Sequence, residues 1–126
     1  MNREGGIAST FAVVVGAFLL IEGIWGLFSP VVFGVLTTNT LHAIIHIGLG
    51  VTGIWTGMKG GSRQFCIFLG GLLLAVGVLR FVPGVGELIV SILNVNAAVA
   101  YLNIVVGIVA LLVGFGAART RITAGR

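Results

Sequence analysis

The stretch NTLHAIIHIGLGVTG, Asn39 to Gly53, places two histidines four residues apart in an apolar, glycine-studded run. On a helix such a pair shares one face, one turn apart. His42 and His46 could therefore grip a metal ion between them, or one of them could serve as the axial ligand of a haem or chlorin. The same imidazoles could instead join helices through hydrogen bonds. Glu22, in FLLIEGIWG, could accept a proton or a cation, pair with Arg80 in VGVLRFV, or hydrogen-bond to His46. Asn103, in YLNIV, adds a neutral amide. No nucleophile, base and orienting third group can be assembled, because the acids number three and Ser9, Ser29, Ser62 and Ser91 have no histidine near them in sequence. No enzymatic activity is expected. Cys66 is the single cysteine, which removes an intramolecular disulfide and a cysteine-based metal site and leaves a core thiol.

Such residues need elements to hold them, and composition says where those elements lie. The chain has 126 residues, 58% of them hydrophobic and 8% charged, with a mean hydropathy of +1.21. That is too little polar surface to cover a soluble globule, so the environment is a lipid bilayer. The net charge is +4, but the basic residues are scattered through short hydrophilic gaps and form no stripe that would track a nucleic acid. A membrane helix needs roughly 20 mostly apolar residues. Four segments qualify: Ile7 to Phe28, Thr40 to Met58, Phe65 to Val82 and Asn96 to Ala118. The first is too long for the apolar part of a signal peptide and lacks a small-x-small cleavage site before a hydrophilic mature chain, so it is read as a membrane helix.

Arg3, Lys59, Arg63, Arg119, Arg121 and Arg126 all fall on one side of these spans, which should be cytoplasmic, with both termini inward. The opposite connections, Ser29 to Asn39 and Pro83 to Val95, carry no Lys or Arg, and their one acid is Glu87. Both are nonetheless apolar, as in VVFGVL and ELIVSIL. They are expected to lie along or dip into the outer interface as short helices, or, for VVFGVL, to extend a neighbouring span after Pro30.

The chain also repeats itself. Phe11 to Phe28 aligns with Phe65 to Val82, matching Phe11 with Phe65, Gly16 with Gly70 and Gly23 with Gly77. Asn39 to Gly57 aligns with Asn96 to Gly114, matching Asn39 with Asn96, Gly50 with Gly107 and Gly57 with Gly114. Two-span copies enter a membrane in the same direction, so a pseudo-twofold along the membrane normal would relate them. The expected fold is all-α: an integral membrane four-helix bundle, one domain over residues 1–126, built from two tandem two-helix repeats at about 7–60 and 65–118.

The run FGVLTTNTLHAIIHIGLGVTGI, Phe33 to Ile54, resembles the signature of the family of unknown function numbered 4383 (DUF4383), small bacterial four-span proteins with an Asn-x-x-His-x-x-x-His-x-x-x-Gly core. Asn39, His42, His46 and Gly50 carry the match, which extends over nearly the whole chain. The resemblance implies an integral membrane protein of the bacterial inner membrane and supplies no established activity. The family's second unit often has a histidine, whereas here Val99 and Asn103 stand opposite His42 and His46, a departure that argues against a histidine-pair mechanism across the repeats.

Depth decides which polar residues can meet. Glu22 and His46 each lie about six residues, roughly 9 Å, inside the outer ends of their spans. Arg80 lies two or three residues inside its own span end, and Asn103 lies at matching depth in the fourth span. These four could share a layer, with His42 a turn above His46. An ionised side chain facing lipid costs several kcal/mol, so Glu22 should face inward. The glycines have a packing reading: Gly16, Gly23 and Gly26, Gly50, Gly53 and Gly57, Gly70 and Gly77, and Gly107 and Gly114 recur at three, four or seven residues and make smooth faces for close backbone approach. Trp25, Trp55 and Tyr101 suit interfacial anchors.

The expected function is that of a polytopic membrane protein without catalytic activity, an interaction or structural subunit that packs against other membrane proteins or its own copies in a homo-oligomer or complex. No cofactor is expected, the alternative being a metal or tetrapyrrole on His42 or His46. The other alternative is a proton- or cation-coupled transporter using Glu22, since a short four-span chain with a lone acid in its first helix superficially resembles the small multidrug resistance transporters. Those proteins surround their glutamate with aromatic residues, whereas here the nearest are Phe18 and Trp25.

Overall fold

The structure is a computed structural model that describes residues 6–124, with side chains described through residue 116. Arg3 and Arg126 lie outside the described residues, as do the side chains of Arg119 and Arg121. Among the described residues there are five helices and one two-stranded hairpin: α1 (Gly6–Phe28), β1 (Val31–Val32), β2 (Leu36–Thr37), α2 (Thr40–Lys59), α3 (Ser62–Leu79), α4 (Val85–Leu93) and α5 (Ala97–Ala124). The fold is all-α. Four helices are long and apolar enough to cross a membrane: α1, α2, α3, and α5 over Ala97–Gly116.

The solvent these helices are built for is legible in what they bury. Bulky apolar residues such as Val14, Ile21, Ile44, Val51, Phe68, Val105 and Leu112 face outward. Many positions turned inward hold small or polar residues, among them Ala12, Gly16, Glu22, His46, Gly50 and Gly70. Lipid tails solvate the outer face as well as a protein core would, so close packing and hydrogen bonds are left to hold the helices together.

α1 lies against α2, and α3 against α5, with glycine at both seams. A β-carbon on Gly16 would come within 2.7 Å of the Gly50 carbonyl oxygen, and one on Gly50 within 2.6 Å of the Gly16 oxygen. In the other pair a β-carbon on Gly70 would sit 2.7 Å from the Gly107 oxygen, and one on Gly107 2.9 Å from the Gly70 oxygen. Gly23, Gly26, Gly53, Gly57, Gly77 and Gly114 occupy similarly tight positions along these seams. The two helix pairs meet through Ala12, Val15 and Leu19 of α1 and Phe65, Leu69 and Leu73 of α3. At the end holding the start of α1, Ser9 and Ser62 share a buried hydrogen bond of 3.2 Å.

The connections at the other end depart from expectation in one case. ELIVSIL forms the short helix α4, with the Glu87 carboxylate accepting from the Gly84 backbone N–H at 2.6 Å. VVFGVL is neither a helix nor an extension of a span; it is the hairpin β1–β2, with Val31 opposite Thr37 and Val32 opposite Leu36. The reason is a tight turn, closed by Val35 N–H donating to the Val32 carbonyl at 3.2 Å. Both central residues, Phe33 and Gly34, have positive φ (55° and 73°), the geometry of a type I′ turn. The chain pays little strain at glycine, and Phe33 is held in place by its ring, which stacks on Phe18 at 5.7 Å and meets Trp25 edge-on at 4.8 Å.

α3 is also displaced relative to the expected span, starting at Ser62 and ending at Leu79. Gly60 and Gly61, both at positive φ, break the chain sharply enough for the new helix to begin at once. At the other end of α3 Arg80 is the C-cap and does not lie within the span.

Candidate functional site: a buried polar pocket beneath a hydrogen-bonded cap

Glu22, His42, His46 and Asn103 line one small pocket together with Val99 of α5 and Val32, Leu36, Thr37 and Thr38 of the hairpin segment. The four polar residues are between 5% and 8% exposed. Helix geometry brings them there. α1 presents Glu22 one turn from Gly26 and beside Gly23, where the helix lies close against α2, and α2 stacks His42 and His46 at i, i+4. The imidazole rings meet edge-on at 4.4 Å between centroids. Glu22 Oε1 stands 3.4 Å from His46 Nδ1, an ion-pair distance that is long for a hydrogen bond. Asn103 faces the same space from α5, and no described residue hydrogen-bonds to its side chain. The free space is about 10 Å³, near the lower limit for a single water.

The pocket is roofed by a hydrogen-bonded cap joining the α1–α2 connection to the α3–α5 connection. His42 Nδ1 lies 2.9 Å from the Leu93 carbonyl oxygen, so the upper imidazole ties α2 to the end of α4. Asn39 Nδ2 donates to Ile92 O at 2.8 Å, and Asn94 Nδ2 donates to Thr38 O at 2.7 Å. The Thr37 hydroxyl donates to Asn94 O at 2.6 Å and accepts from the Asn96 N–H at 3.0 Å, while Asn96 Nδ2 donates to Val35 O at 2.9 Å. These bonds satisfy irregular backbone that would be costly near hydrocarbon. Asn39 and Asn96 also cap α2 and α5, accepting from the backbone N–H of His42 and Val99 at 2.9 Å each.

Arg80 does not join the pocket. Its Nε donates to Val95 O at 2.7 Å, and its guanidinium lies 5.8 Å from the centre of the Phe81 ring. As the residue after α3 it sits above the layer of Glu22, so the expected pairing of these two charges is replaced by the Glu22–His46 contact. Sequence reasoning missed the hairpin's share of the wall, since Val32, Leu36, Thr37 and Thr38 read as an apolar outer loop. The available signal was Phe33-Gly34 followed by Thr-Thr-Asn, a turn and a helix cap in close succession. Among the described residues no group of three or more His, Cys, Asp or Glu side chains is placed to hold a metal ion.

Four apolar spans, small residues at the seams and polar side chains turned inward define a polytopic integral membrane protein, whose environment is a lipid bilayer. A model of the domain of unknown function DUF4383 matches residues 9–116, and the chain belongs to that family. No curated protein and no solved structure matches it.

Proposed function

We propose that the protein is a non-catalytic subunit of the bacterial cytoplasmic membrane, made of two tandem helical hairpins, that packs against other membrane proteins or its own copies. The observation that carries this reading is the size of the polar pocket. With about 10 Å³ free beneath a hydrogen-bonded roof, the buried polar residues hold helices together and leave no room for an organic substrate or a tetrapyrrole. The duplication reading is supported by the seams, where Gly16 on Gly50 and Gly70 on Gly107 make contacts at aligned positions. The same holds for Gly23 on Ala43 and Gly77 on Ala100. Both termini are assigned to the cytoplasmic side because six basic residues flank that end of the spans, against Arg80 at the other.

The test is a sample purified in mild detergent and examined for mass, absorbance and metal content. A colourless, metal-free species heavier than the 13.0 kDa chain is expected. A stoichiometric metal, a pigment or a strictly monomeric chain would overturn the reading.

One observation favours a second reading, proton- or cation-coupled transport through Glu22: the carboxylate lies beside His46 while the amide of Asn103, facing the same space, has no described partner. In that case proteoliposomes should show a proton or monovalent-cation flux that Glu22→Gln abolishes. The absence of flux with the unaltered protein would dispose of it.

A further inference from the structure

On the outer side of the cap, away from the buried pocket, the turn between α3 and α4 forms a groove of about 460 Å³ lined by Arg80, Phe81, Val82, Pro83, Glu87 and Val90. That volume falls within the range of small-molecule sites. Its two charges are opposite in sign and face one cavity, yet they do not form an ion pair with each other among the described residues. Each is held at one end only. Arg80 is fixed by Nε on Val95 O and by the Phe81 ring, and no described residue takes its two terminal Nη groups. Glu87 is fixed by Oε1 on the Gly84 N–H, which leaves Oε2 available. The two residues are held near each other because α4 is seated directly on the end of α3: a β-carbon on Gly86 would collide with the Arg80 carbonyl oxygen, and the Gly86 N–H donates to Val82 O at 2.7 Å.

The position of the groove says what can reach it. Arg80 follows an 18-residue span, about 27 Å of helix and so nearly the thickness of the hydrocarbon core. Phe81 meets exposed Tyr101 at 5.2 Å with the rings tilted by 37°, an aromatic pair of the kind that marks headgroup level. Val82, Val85 and Leu88 are exposed beside it, offering an apolar bed to acyl chains. A cation with two free Nη groups, an anion with one free acceptor oxygen and a greasy floor at headgroup depth complement a zwitterion with a tail.

We propose that this groove binds the headgroup of a zwitterionic phospholipid with a primary ammonium, a phosphatidylethanolamine, with its phosphate on the Arg80 Nη groups and its ammonium on Glu87 Oε2. Guanidinium–phosphate contacts are charge-assisted and directional, while a carboxylate hydrogen-bonds a primary ammonium and has no such bond to offer a quaternary one.

Native mass spectrometry of the full chain in detergent, titrated separately with short-chain phosphatidylethanolamine, phosphatidylcholine and phosphatidylglycerol, tests this. The unaltered protein should bind phosphatidylethanolamine roughly tenfold more tightly than the other two. Arg80→Gln should weaken all three phospholipids. Glu87→Gln keeps an acceptor oxygen for Gly84, so the fold is retained, and it should abolish the preference while leaving phosphatidylglycerol bound as well as before. Equal affinity for the three lipids, a preference for phosphatidylglycerol, or a preference that survives Glu87→Gln overturns the proposal. Displacement of the lipid by an equal concentration of free phosphoethanolamine overturns it too, since the ligand would then be a soluble headgroup.

Discussion

Glu22 has exchanged bulk water for one imidazole at 3.4 Å and a pocket wall of valine, leucine and threonine. Removing that imidazole should therefore matter more than altering it. His46→Asn retains a hydrogen-bonding group, as Asn103 does in α5, and should leave thermal stability in detergent almost unchanged. His46→Leu should cost about 1–3 kcal/mol, because the carboxylate loses its partner while staying buried. Equal melting temperatures for the two variants would show that the carboxylate does not depend on His46. Glu22 and Arg80 give a second expectation. They occupy different sites, so the losses caused by Glu22→Gln and Arg80→Gln should add to within about 0.5 kcal/mol in the double variant, whereas a pair would show recovery. The common depth of Glu22, His46 and Asn103 is legible in the sequence because helical rise is fixed and their span ends are marked by capping asparagines or Pro30. Arg80 is not legible in the same way, since the apolar run continues through Phe81 and Val82 and gives no sign that α3 stops at Leu79.

At the scale of elements, the seams and the cap differ in kind. A seam is backbone against backbone, and glycines on one helix face predict it directly. Gly50→Leu should lower the yield of folded protein sharply, since its β-carbon would meet Gly16 O and Leu20 N, both at 2.6 Å. Gly48→Leu, on the open side of the same helix, should be tolerated, and comparable yields of the two by size-exclusion chromatography would contradict the seam. The cap escapes the pattern because its order comes from side chains bonding to backbone more than fifty residues away. VVFGVL has the composition of a membrane helix, and only the left-handed pair Phe33-Gly34 turns it back on itself. Asn94 adopts the left-handed region at φ 54° and also donates to Thr38 O. Asn94→Ala should thus cost roughly 1–3 kcal/mol by losing both the bond and a side chain that tolerates this conformation. Thermal unfolding would register it.

For the whole molecule, orientation can be tested with labels at positions that are open to solvent or headgroups. Gln64 lies near the Lys59 and Arg63 end and Ser91 lies on α4, both exposed, whereas the native Cys66 is fully buried and contributes little background. In intact cells Ser91→Cys should react with a membrane-impermeant thiol reagent and Gln64→Cys should be protected. Equal labelling would mean that the chain inserts both ways. The cap carries a different consequence, one of timing. Thr37, Thr38 and Asn39 close the roof on Ile92, Asn94 and Asn96, so while the chain is being synthesised α1 and α2, which end at Lys59, must wait in the membrane, with Glu22 and His46 uncovered, until the chain has been extended through α3 and α4. During that interval the first hairpin is a substrate for membrane quality control, and a truncation that stops after α3 should be cleared by proteases faster than the full chain.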